Sequence, residues 1–229
     1  MKLSITTFFM CFTFISFAQS SYNISQLQSF LLKEASNLRS TNIDKNSENI
    51  EGSPFLTEDF VEGDVYTNSG SFKGVKMKYD RQEGVFLFNL NNQLQYLDPL
   101  PSVLKVVYDK QSFVVRKYSI KSKANIGYVV RLDSGKVSLY AKKNVYFRPA
   151  EPPKALESAS HPAKFTSAPD NYFLQFGNGS LVLFDGVKDI YELFPDLAES
   201  LKVYIKKEKL STKKESDLIA ITQFCSKSL

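Results

Sequence analysis

The chain offers few side chains able to do chemistry. Its 229 residues include one histidine, His161, and two cysteines, Cys11 and Cys225. Those counts exclude a His-rich zinc site, a four-cysteine zinc site, a disulfide framework and a c-type haem attachment. His161 sits between Ser160 and Pro162, and no GxSxG, HExxH or CxxC motif accompanies it. A lone histidine needs partners to act as base or ligand, so His161 reads as an exposed loop residue. Carboxylates are densest at Glu58, Asp59, Glu62 and Asp64. On a strand over residues 60–67, Glu62 and Asp64 would share a face at about 6.6 Å separation. Such a pair can work as acid and base in glycoside hydrolysis or can hold calcium. No EF-hand loop is present, and nothing in the pattern raises one of the two pKa values. The expectation is a solvated strand face opposite Val61 and Val65, with no catalytic residue, metal ligand or cofactor site assigned.

Two further groups invite a functional reading. Cys225 shares a helical stripe with Leu218 and Ile221. A free cysteine in that setting behaves as a small buried hydrophobe, whereas a catalytic thiol needs an activating base. Lys202, Lys206, Lys207, Lys209, Lys213 and Lys214 put six positive charges into thirteen residues, opposed by Glu208 alone. Anionic headgroups or acidic polysaccharide could meet such a patch, but lysine runs ordinarily stay solvated. Nucleic acid is disfavoured because the segment lacks arginine and the chain reads as exported.

Export is read from the first eighteen residues. Lys2 precedes a nearly unbroken apolar and hydroxyl run from Leu3 to Phe17, and Ser16-Phe17-Ala18 places small residues at −3 and −1 of a cut after Ala18. This is the pattern of a secretory signal peptide. The run is about fifteen residues, short of the roughly twenty of a spanning helix. Met10 before Cys11 does not fit a lipoprotein. Cleavage removes Cys11, so the mature chain from Gln19 keeps a single cysteine and cannot form an internal disulfide. It then carries 28 basic against 24 acidic side chains, a net +4 that is smaller than the local excess in the lysine run.

The elements that position these residues follow from hydrophobic period. Ile24, Leu27, Phe30, Leu31 and Leu38 suggest an amphipathic helix near 24–39, followed by a polar linker from Ser40 to Gly52. From Phe60 the period is two. Val75, Met77 and Tyr79 alternate with Lys76, Lys78 and Asp80, and residues 104–108, 128–132 and 137–141 repeat the pattern. Turn chemistry at Arg81-Gln82-Glu83-Gly84, Asp109-Lys110 and Asp133-Ser134-Gly135 separates the runs, which favours an antiparallel meander. Arg148 to Asp170 holds five of the nine prolines and is too long for an ordinary connection, so it reads as a strap, a lid or a boundary. Gly177-Asn178-Gly179 then marks a β-hairpin. Three helical stripes follow: Val187, Ile190, Tyr191 and Phe194; Leu197, Leu201, Tyr204 and Ile205; and Leu218, Ile221 and Cys225. Thr212-Lys213-Lys214-Glu215 reads as a capping box before the last. The expected class is α+β: an antiparallel β-meander body (sheet, sandwich or half-barrel) with a C-terminal lobe of two to three helices. The divisions are a signal peptide at 1–18, helix and linker at 19–50, the β region at 51–148, the strap at 149–170, and hairpin plus helices at 171–229. Residues 51–229 are expected to form one domain.

Three stretches carry a resemblance: Gly52-Ser53-Pro54-Phe55-Leu56 with Asp59-Phe60 and Gly63-Asp64-Val65-Tyr66; Gly127-Tyr128-Val129-Val130 with Gly135 to Tyr140; and the tail from Leu210 to Leu218. The chain resembles the uncharacterised exported β-rich proteins of Bacteroidetes-type Gram-negative bacteria. The resemblance implies an extracytoplasmic location and no assigned activity. The functional expectation is a secreted or periplasmic, non-enzymatic binding or assembly module. Its partner would be another protein or an apolar ligand such as lipid, held by Phe72, Phe86, Phe88, Phe113, Tyr140, Tyr146 or Phe147 and closed by the strap. The alternative is a carboxylate-dependent hydrolase of polysaccharide. An outer-membrane barrel is disfavoured by short strands and a helical C-terminus; peripheral envelope contact is retained.

Overall fold

The computed structural model describes residues 21–22, 24–34, 40–41, 50–90, 93–152 and 161–229. The expected leader at 1–18, Leu38 and residues 42–49 of the linker, and 153–160 of the strap lie outside the described residues. The class is α+β. A twelve-stranded sheet runs in the order β15-β14-β11-β10-β9-β8-β4-β5-β6-β7-β2, with β1 added to β5, and a three-stranded sheet pairs β12, β13 and β3.

Helix α1 (Ile24–Glu34) buries Leu27, Phe30 and Leu31, three of the five positions that suggested it. The linker is not featureless at its ends. Ser40–Thr41 (β2) pairs with β7, and Ile50–Glu51 (β3) pairs with β13. β1 (Ser21–Tyr22) lies parallel to β5. Strands β4 (Val61–Thr67), β5 (Gly70–Asp80), β6 (Val85–Leu90) and β7 (Gln93–Leu97) form a first meander. The Asp80 carboxylate accepts the backbone N–H groups of Gln82 (2.8 Å) and Glu83 (3.0 Å), and Gly84 closes the turn at φ +72°. A second meander follows as β8 (Val103–Tyr108), β9 (Gln111–Ile120), β10 (Lys123–Asp133) and β11 (Val137–Lys142). The meander order is interrupted here. β8 does not extend from β7 but returns to pair with β4, in the manner of a Greek key.

The sheet is rolled. In a flat sheet, β6 and β10 would lie five strand spacings apart, about 24 Å. Yet the ring of Phe86 on β6 lies 5.1 Å from that of Tyr128 on β10, 5.1 Å from Phe113 on β9, and 5.4 Å from Tyr108 on β8. Tyr79 closes the cluster at 4.9 Å from Phe86 and 4.7 Å from Phe113. The rings fill the inside of the roll, and burial of this kind dominates core energetics. Tyr128 Oη donates to the Asp98 carbonyl (3.1 Å), tying β10 to the β7–β8 link.

The C-terminal half of the sheet is covered on both faces. Strands β14 (Asn171–Phe176) and β15 (Val182–Phe184) form the expected hairpin beside β11. Helices α2 (Val187–Leu193), α3 (Ala198–Glu208) and α4 (Glu215–Ser228) pack Ile190, Leu201, Leu218, Ile221 and Cys225 over Val137, Leu139 and Leu174. On the other face Leu181 closes with Tyr118, Val129, Tyr140 and Phe173. β11 was expected to alternate, but Ser138 and Tyr140 are buried along with Val137 and Leu139. Two-sided cover removes the wet face that alternation requires.

The strap is also more ordered than a bare connection. β12 (Val145–Arg148) pairs antiparallel with β13 (Ala163–Ser167), and Glu151 bridges to His161. Its described strands belong to the small three-stranded sheet, on which Tyr146 (58 %) and Phe147 (38 %) are exposed.

Candidate functional site

A cleft of about 840 Å³ opens where the roll, the end of the strap and the helical lobe meet. One wall is the β5–β6 turn. Arg81 donates through Nε to the Pro54 carbonyl (3.1 Å) and through Nη2 to the Ser53 carbonyl (2.9 Å), which fastens the 53–56 segment to that turn. The opposite wall is the β11–β12 turn with the strap's exit. There the Asn144 N–H donates to the Asp170 carboxylate (3.1 Å), and Asn144 Nδ2 donates to the Pro169 carbonyl (2.9 Å) and to Asn171 Oδ1 (2.7 Å). The rim comes from Asp185 after β15 and from Thr212 and Lys213 between α3 and α4.

Lys143 holds these parts together. Its ammonium donates to Asp170 Oδ2 and to Glu215 Oε2, each at 2.9 Å. Burial disfavours the charged form of Lys143, but the hydrogen bonds to Glu215 and Asp170 outweigh it and raise its pKa. The neighbouring Lys142 donates to Asn144 Oδ1 (2.9 Å), and burial lowers its pKa against the attraction of Asp170. Tyr172, also in the cleft, is raised by burial and then by the Asp170 and Glu215 charges. The cleft thus combines a cross-linked polar base, an apolar contribution from Leu56, Pro169 and Tyr172, and a rim carrying both signs of charge.

The candidate residues of the sequence fall at different places. Lys202, Lys206 and Lys207 are exposed on α3, Lys209 is its left-handed C-cap (φ +53°), and Lys213 and Lys214 lie in the following turn. Lys213 alone of the six lines the cleft. Lys202 pairs with Glu199 (2.7 Å), and Lys207 stands 3.8 Å from Glu208. The capping box does not form. α4 starts at Glu215 behind Lys214, which has no side-chain cap, and the Glu215 carboxylate is taken by Lys143. Asp217 instead accepts the Ser211 N–H (3.0 Å).

In the acidic cluster, Asp64 pairs with Lys73 (2.8 Å) and accepts the Gly74 N–H (3.2 Å). Partial burial raises its pKa, but the bonds from Lys73 and Gly74 outweigh that and leave it lowered. A glycosidic general acid needs the reverse. His161 is half-buried in its bridge to Glu151 rather than on an open loop. Cys225 is fully buried, and desolvation pushes its thiol up to about 11, against thiolate chemistry. Among the described residues no group of three or more His, Cys, Asp or Glu side chains is placed to hold a metal, and no helix is long and apolar enough to cross a membrane. No family model, curated protein or solved structure matches the chain. Sequence reasoning gave no site role to Arg81, Lys143, Asp170 and Asn171; their only signal was position, Arg81 in the β5–β6 turn and the other three at the ends of the strap.

Proposed function

We propose that the chain is exported and acts as a binding module rather than a catalyst, with the cleft beside Lys143 as its ligand site. The construction of the cleft carries this reading. A site that binds without reacting needs fixed donors and acceptors around a concave surface. Lys143, Asp170 and Asn144 supply a cross-linked base, while Asp185, Thr212 and Lys213 present polar groups at the mouth. Mixed donors and acceptors set between apolar patches suit a hydroxyl-rich ligand, and we assign the cleft to a saccharide. An apolar cargo has less support, because contacting rings fill the roll. Hydrolysis has less support because Asp170 and Glu215 both spend carboxylate oxygens on Lys143, and Asp64 is committed to Lys73. Export rests on the leader pattern of residues 1–18. The exposed lysines of α3, with Val203 beside them, support peripheral contact with an anionic envelope surface.

The test is calorimetric titration of the purified chain with neutral, amino and uronic-acid oligosaccharides. Ser167 is exposed at the cleft, so Ser167→Trp should fill it without unfolding the protein. Binding that disappears in this variant at unchanged Tm supports the site. Binding that survives it, or turnover of any oligosaccharide, defeats the proposal. N-terminal sequencing of the native protein should begin at Gln19.

A further inference from the structure

The three strands of the small sheet are all rooted in the walls of the cleft. β12 pairs with β13, and β13 with β3. β12 leaves from the Asn144 turn, β13 runs out toward Pro169 and Asn171, and Asn144 Nδ2 ties those two ends together. β3 continues through Gly52 into the Ser53-Pro54 segment that Arg81 holds. Gly52 lies at φ +75°, and a Cβ there would stand 2.5 Å from the Phe165 carbonyl oxygen, so glycine is what lets this segment lie against β13.

Pairing sets the two faces of the small sheet. Partners across an antiparallel ladder project their side chains to the same side. Val145 pairs with Ser167 and Phe147 with Phe165, which puts these four on one face. The rings of Phe147 and Phe165 meet at 4.9 Å, as that register requires. Tyr146, Arg148 and Lys164 fall on the other face, where Lys164 pairs with Glu51 (2.9 Å). Ser167 lines the cleft, and Phe165 follows it on the same face after one pleat repeat, about 6.6 Å along the strand. Among the described residues, neither ring belongs to the packed clusters of the roll or of the helical lobe, and Phe147 is 38 % exposed.

Size decides what such a face can hold. Three strands at about 4.8 Å spacing and five residues at about 3.3 Å each give roughly 240 Å². A stable protein interface takes about 800 Å² from each partner, so this face alone anchors neither a second copy nor another protein. Two adjoining rings match a small flat ligand instead. A pyranose carries hydroxyls around its edge and C–H groups on its faces, and those C–H groups pack on the electron-rich face of an aromatic ring. We propose that Phe147 and Phe165 form a stacking subsite for a further sugar ring of an oligosaccharide held in the cleft. This subsite rests on the saccharide reading of the cleft and extends it: the sugar chain leaves past Ser167 and runs over the aromatic face of the strap.

The test is calorimetric titration of the full chain with cello-oligosaccharides, chitosan oligosaccharides and oligogalacturonates, each of two and six units. In the series that the cleft accepts, a stacked extra ring predicts that the six-unit member binds at least about fivefold more tightly than the two-unit member. Phe147→Ala should bring the six-unit affinity down to the two-unit value. Phe147→Tyr should retain the gain, and so should Tyr146→Ala on the opposite face. Equal affinities for the two lengths would overturn the subsite and leave the cleft standing. So would a length gain that survives Phe147→Ala, or one that Tyr146→Ala removes as well. Binding of no series, or binding that Ser167→Trp does not abolish, removes the cleft and the subsite together.

Discussion

Replacing Lys143 by methionine keeps an unbranched side chain, one atom shorter, and removes its charge. Asp170 and Glu215 then lose their shared ammonium, and the Asn144 turn loses the partner that holds Asp170 in place. Breaking a fully buried pair costs about 3–5 kcal/mol, and an exposed pair about 0–1 kcal/mol. The side chains of Lys143 and Asp170 are 13 % and 19 % exposed, while Glu215 is 41 % exposed. The Asp170 pair therefore lies between the two limits and the Glu215 pair near the surface limit, for a combined loss of about 2 kcal/mol. For a chain of this length that is roughly 4–8 °C in Tm. Urea unfolding of the wild type, Lys143→Met, Asp170→Asn and the double variant would measure it, with a coupling of at least about 1 kcal/mol expected between the two positions. The pH dependence follows from the raised lysine pKa. A group protonated more tightly in the folded state contributes fully below its unfolded pKa, here near the ordinary 10.5. The contribution is lost as pH rises through the folded value. The difference between wild type and Lys143→Met should thus stay level from neutrality to about pH 10 and shrink only in stronger alkali. Additive single variants, or a difference that vanishes near neutrality, would refute the clamp.

Other expectations concern the scaffold. Phe86 is fully buried against four rings, so Phe86→Ala should cost about 3–5 kcal/mol in urea unfolding and affect both meanders in a single transition. Tyr79 Oη has no hydrogen-bond partner among the described residues, so Tyr79→Phe should be neutral or stabilise by up to about 1 kcal/mol. At the start of α4, Asp217→Ala should cost about 1 kcal/mol by helix-sensitive thermal melting, whereas Thr212→Ala should stay within about 0.5 kcal/mol. The reverse order would restore the capping box.

The parts legible before folding are those that local pattern controls. Val75, Met77 and Tyr79 point inward as their period requires, and Gly177-Asn178-Gly179 makes its hairpin. Leu218, Ile221 and Cys225 fall on one buried face. Where reading failed, a distant contact had intervened. Ser138 and Tyr140 lose their wet face to the β14–β15 hairpin. Glu215 abandons its cap for a lysine 72 positions earlier. The turn at Lys121-Ser122 gave no warning because neither residue is the glycine or asparagine that usually marks such a turn.

By itself the amino-acid order determined the α+β class, the strand periods and the shortage of histidine and cysteine, because these depend on neighbours a few positions apart or on counting. Tertiary structure decided the roll that brings Phe86 to Tyr128, the return of β8 to β4 and the Lys143 clamp. Each joins segments far apart in the chain, and such meetings depend on how the sheet curls and where its bulges fall, which no single stretch of residues encodes.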